Sequence, residues 1–171
     1  MDTPEIDEAE VSALVADLLR EDDLGVVIRA HIRIESALCE VVDALLREPS
    51  YRSKLNLDYF NTVILAIAVG INTEYGPSLK AIGTLRNSFA HDLETKLDGN
   101  SISALYAALV PRHKDKVQEI SRNLWVDHNS TMPYPTFKNL SPRDQFIAIA
   151  IVLWGAVKGT VLHLRNRPRE A

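Results

Sequence analysis

The chain has one cysteine, few glycines, no excess of basic charge and no apolar run long enough to cross a bilayer. Of its 171 residues only Cys39 is a cysteine. A single thiol excludes an intrachain disulfide framework and any cysteine-rich zinc site. Cys39 falls in an apolar helical pattern, where a thiol behaves as a small buried hydrophobe. The seven glycines form no phosphate-cradling loop, and neither a nucleophile elbow nor a Cys–His pair can be traced. Acidic residues outnumber basic ones, 23 to 19, for a net charge of −4. Such a chain lacks the strong global basic field that often supports nucleic-acid binding, although a local basic patch is compatible with it. The longest strongly apolar run, Phe146 to Val157, suits a buried core helix rather than a membrane span. The first residues, Met1-Asp2-Thr3-Pro4-Glu5, are acidic and show no apolar signal region. A cytoplasmic protein with no membrane partner is therefore the expectation. No strand-like alternation, internal repeat or low-complexity block is present.

What is there is helical periodicity. The length suits one domain, with a core over about residues 4–164 and a basic tail at 165–171. Thr3 and Pro4 predict a helix start, followed by Ile6, Val11, Leu14, Val15 and Leu18 at helical spacing. A second helix is expected from about Leu24 to Arg47, with Val27, Ile28, Ala30, Ile34, Leu38, Val41, Val42 and Leu45 on a wide apolar face. Residues 51–57 read as irregular. A third helix, about Asp58 to Ile71, is apolar nearly all round and is expected to be central. The fourth begins near Pro77-Ser78, with Leu79, Ile82, Leu85 and Phe89 as its core stripe. A fifth is capped by Asn100 or Ser101, and a more polar sixth spans His113 to Trp125. The stretch Val126 to Leu140 is the longest loop. Ser141-Pro142-Arg143-Asp144 then supplies a cap, a first-turn proline and an acid for a last helix to about Leu164. The pattern predicts an all-α, single-domain bundle of about six to seven helices.

One stretch stands apart from this background: Leu85-Arg86-Asn87-Ser88-Phe89-Ala90-His91-Asp92. If the fourth helix is continuous, Arg86 lies on or beside the buried stripe. It cannot shed its charge there and must find acceptors. His91 is five positions on, a rotation of about 140° and a rise of about 7.5 Å, so the two side chains do not share a face. They converge only if the helix ends or bends near Ala90, or if His91 meets an arginine from another copy. Asp92 is placed to orient an imidazole.

Arg-Asn-x-x-x-His resembles the signature of the HEPN superfamily, helical domains many of which are metal-independent RNases. The resemblance implies a homodimer in which arginine and histidine face one another across the interface. It makes Arg86, Asn87 and His91 the catalytic candidates. Arg86 would neutralise phosphate charge, His91 would transfer protons and Asn87 would be an accessory polar group. From about Leu24 to Leu109 the chain also resembles the mannitol-operon-repressor-like family. The features are a helix with an internal Glu35, an apolar helix ending in Gly70-Ile71, and then Leu-Arg-Asn-x-Phe-Ala-His. That resemblance implies a non-enzymatic transcriptional regulator working through a protein partner, since no basic recognition helix is evident. RNA and a protein are thus the two partner classes, with Glu35 and Asp92 as possible support.

A structural reading stays open beside these: Arg86 bridges to a buried acid such as Glu35, and His91 caps a helix end. His31 and Glu35, four apart, resemble half a metal site, but no third ligand is identifiable and an ordinary polar pair is expected. No metal or cofactor is expected. Asp127-His128 and the arginines at 165, 167 and 169 read as solvated.

Overall fold

A computed structural model of the chain describes residues 6–92, 94–126 and 136–165, the side chains of 123–126 excepted. The described residues form seven α-helices and no strand: α1 (Glu8–Leu19), α2 (Asp23–Leu45), α3 (Tyr59–Val69), α4 (Gly76–His91), α5 (Gly99–Ala107), α6 (Pro111–Val126) and α7 (Pro142–Arg165). Short 3₁₀ turns occupy Pro49–Leu55, Thr73–Tyr75 and Phe137–Asn139. The all-α bundle expected from periodicity is the architecture found.

Aspartates set most of the helix starts. Asp7, Asp22, Asp58 and Asp98 each accept a hydrogen bond from a backbone N–H of the first turn they cap, satisfying donors that have no partner inside the helix. Two expected starts shift for this reason. The first helix begins after Asp7, while Thr3 and Pro4 lie outside the described residues. The fifth is capped by Asp98, whose carboxylate accepts from Ser101 N–H at 2.7 Å, rather than by Asn100 or Ser101. The expected start of the last helix holds: Ser141 Oγ accepts from Asp144 N–H at 3.1 Å, and Pro142 opens α7. Of residues 51–57, expected to be irregular, those up to Leu55 belong to the 3₁₀ turn Pro49–Leu55.

The centre of the bundle is α7. Nine consecutive residues, Phe146 to Trp154, are buried whichever way their side chains point. The 24-residue helix is long and apolar enough to span a membrane by length and composition alone, a broader criterion than the twelve-residue run suggested. Here α2, α6, α1 and α5 pack around it. α3 is not central, contrary to expectation. It packs against α2 and α4, and Ile64 is left 53% exposed.

Polar ties fix the outer helices to this axis. Lys158 Nζ on α7 lies 3.0 Å from Glu10 of α1 and 3.2 Å from Glu40 of α2. Burial opposes its charge, but the two carboxylates outweigh burial and raise its pKa. The Arg143 guanidinium donates to Leu18 O and Leu19 O, capping the C-terminal carbonyls of α1, and to Glu21 O just beyond the helix.

Candidate functional site

α2, α3 and α4 enclose a polar recess of about 290 Å³ lined by His31, Glu35, Asp58, Tyr59, Phe60, Gly83, Arg86 and Asn87. Its geometry starts at Gly83. A Cβ there would stand 2.6 Å from Tyr59 Cε1, so only glycine lets α4 approach the Tyr59 ring this closely. Tyr59 is 7% exposed, and its hydroxyl donates to Leu79 O at 2.8 Å, tying α3 to α4. The next turn of α4 brings Arg86 and Asn87 onto the face that carries Gly83.

Arg86 is half-buried, and its Nη1 donates to Asn87 Oδ1 at 3.1 Å. Among the described residues no carboxylate comes within the 4.0 Å of an ion pair with it. The expected structural bridge to Glu35 is therefore not formed. Glu35 instead lies 3.8 Å from His31 Nδ1. An arginine this far out of water with only an amide acceptor keeps most of its hydrogen-bonding capacity unused.

The field inside the recess follows from burial and this one cation. Burial, reinforced by Arg86, lowers the His31 pKa to about 4, so the imidazole is neutral at pH 7. Burial raises the Glu35 carboxyl above its ordinary range, with Arg86 opposing the shift. The His31 ring packs on Tyr59 at a centroid distance of 4.2 Å. The recess thus offers one guanidinium without a direct ion pair, an amide, a neutral imidazole and two carboxylates, Glu35 and Asp58; the guanidinium is the group in it that can take up an anionic oxygen.

The residues singled out in the sequence separate into two groups. Arg86, Asn87 and Glu35 share the recess. His91 does not line it: it is the exposed last residue of α4, which runs unbroken past Ala90. The helix therefore does not bring Arg86 and His91 together within one chain. Asp92 does not orient the imidazole either, because its Oδ1 accepts from Glu94 N–H at 2.9 Å and shapes the turn after the helix. No group of three or more metal-ligating side chains exists among the described residues. Arg165 contacts Glu40 at 3.4 Å, whereas Asp127, His128, Arg167 and Arg169 lie outside the described residues.

Four lining residues were not singled out: Asp58, Tyr59, Phe60 and Gly83. A glycine inside the stripe Leu79, Ile82, Leu85 and Phe89 is a signal of close backbone approach. Its partner could not be read locally, because Tyr59 lies on another helix. His31 was visible as a pair with Glu35, but its place beside Arg86 arises only when α2 and α4 pack.

Compared with protein-family models, with curated proteins and with solved structures, the chain matches none. The class defined by the coordinates is that of an all-α bundle with an arginine-bearing polar recess.

Proposed function

We propose that this protein is a HEPN-like helical domain that engages RNA through the Arg86 recess and acts as a metal-independent endoribonuclease when two copies associate. The single observation that carries the reading is the half-buried Arg86 guanidinium, open to a recess and unpaired with any described carboxylate. A phosphodiester supplies the anionic oxygens such a fork is built to hold. His91, exposed and off the recess, is available to a second copy. In the composite site Arg86 of one copy holds the scissile phosphate while His91 of the other transfers protons. The 2′-hydroxyl oxygen forms its bond to phosphorus and loses its proton. The bond from phosphorus to the 5′-oxygen breaks, and that oxygen gains a proton, leaving a 2′,3′-cyclic phosphate and a 5′-hydroxyl.

The test is cleavage of single-stranded RNA in EDTA by the wild type, Arg86→Ala and His91→Ala. The reading expects cleavage by the wild type and losses of about 10²-fold or more in each variant. Equal activity in all three, or none in the wild type, would remove the catalytic part.

The alternative, a mannitol-repressor-like regulator working through protein contacts, draws on a different observation. Ile32 and Ile64, each one helical turn or less from recess residues on α2 and α3, are 57% and 53% exposed. Exposed aliphatic side chains such as these suit a protein contact. On that reading, capture of a protein partner survives His91→Ala and is lost in Ile64→Asp.

A further inference from the structure

α1 and α6 both pack on α7 and leave between them a second cavity, separate from the Arg86 recess. Its volume is about 530 Å³, within the range typical of small-molecule sites. Ile151, Val152, Gly155 and Ala156 of α7 line it, together with Ile6, Val11 and Ile120. Gly155 leaves room on the α7 side, where a Cβ would make only ordinary contact with Ile6 Cδ1 at 3.7 Å.

One part of the lining is different in kind. Arg112, His113 and Lys116 line the cavity from the first two turns of α6, beside Tyr75. The His113 side chain is 5% exposed, packs on Tyr75 at 4.6 Å and leaves Nδ1 without a hydrogen-bond partner. A buried polar atom in this condition is unusual and calls for a partner. Arg112 has only a loose contact with Glu74, 3.7 Å apart with both side chains more than half exposed. Lys116 pairs with Glu119 on the solvent side, where such a pair contributes little.

The helix dipole makes the same point. The first turn of α6 carries no acid, yet Arg112 and Lys114 stand at its positive end, while burial disfavours the charged form of His113 between them. Cations at a helix N-terminus oppose the dipole, and an anion there relieves both. The cavity therefore combines apolar walls with two cations, Arg112 and Lys116, on one side.

We propose that this cavity is a binding site for a small amphipathic anion, its apolar body on α7 and its anionic head at Arg112 and Lys116 by the start of α6. The head is a carboxylate or a phosphate monoester, which share the chemistry these cations recognise.

Decanoate and decyl phosphate, each below its micelle-forming concentration, distinguish the two heads. Decan-1-ol and decyltrimethylammonium control for apolar binding and for charge sign. Binding to the full chain is followed by ¹H–¹⁵N chemical shifts. The expected result is saturable binding of at least one anion, with the largest shifts at His113 and Gly155. Affinity is at least tenfold weaker for the alcohol and the cation. Arg112→Gln/Lys116→Gln lowers the anion's affinity at least tenfold while leaving the alcohol's unchanged, and Gly155→Leu, which fills the cavity, lowers both. Absence of anion binding, equal affinity for anion and alcohol, or shifts centred elsewhere would overturn the proposal. Because neither RNA nor Arg86 enters this experiment, its outcome is independent of the ribonuclease reading.

Discussion

Two side chains in the recess carry opposite consequences of burial. Arg86 stays charged, and His31 stays neutral. The His31 pKa of about 4 lies below its ordinary 6.5, so the native state refuses a proton that the unfolded chain accepts. Above pH 6.5 neither state holds the proton and the group contributes nothing. As pH falls from 6.5 towards 4 the unfolded state gains it first, and stability drops; below about 4 the loss levels off. His31 is 4% exposed, so solvent screens the effect little. Between pH 7 and 4.5 the expected loss from this residue is about 2–3 kcal/mol. Urea unfolding at the two pH values measures it, and His31→Gln should show a correspondingly smaller pH dependence. An imidazole titrating near 6.5 by NMR would refute the argument.

At the scale of elements, the contacts that make the recess are separable from those that make the fold. Gly83→Ala pushes a methyl into the Tyr59 ring, which is held by its hydroxyl bond to Leu79 O. The expected cost is about 1–3 kcal/mol by chemical denaturation, despite alanine's better helix propensity. Arg143→Ala strips the donors from the last two carbonyls of α1 and should cost about 1–3 kcal/mol without altering the recess. Phe146→Ala, at 0% exposure in the second turn of α7, should cost about 3–5 kcal/mol. The start of α7 could be read directly from Ser141-Pro142-Arg143-Asp144, because capping is local chemistry. The central place assigned to α3 was wrong for the converse reason. An apolar sequence on all sides does not say which sides are covered, and nothing in the described bundle covers Ile64.

At the scale of the molecule, Arg86, Asn87 and Glu35 were legible in one helix each. Their shared recess depends on helix packing that no local pattern encodes. The same holds for His31 and Tyr59, which reach Arg86 only through the α2–α3–α4 arrangement. The rotation between Arg86 and His91 was legible too, and the unbroken α4 bears it out. One chain therefore presents the two halves of the proposed site apart, and the proposal requires a second copy to join them. Ile64→Asp, at a position already 53% exposed, should leave thermal stability within about 0.5 kcal/mol by thermal denaturation, so that any loss of a captured partner in this variant reports on contact and not on folding.

The central claim is that Arg86 of one copy works with His91 of another. It is tested most directly by mixing the two inactive variants. RNA cleavage in EDTA is measured for the wild type, Arg86→Ala, His91→Ala and an equimolar mixture of the two variants after subunit exchange. In a two-fold dimer, half of the mixed dimers are heterodimers, each with one intact Arg86–His91 pair and one dead pair. The account predicts near-zero cleavage by each variant alone and recovery to about a quarter of wild-type activity in the mixture. Full activity in either variant alone, or no recovery in a mixture shown to contain heterodimers, would contradict it.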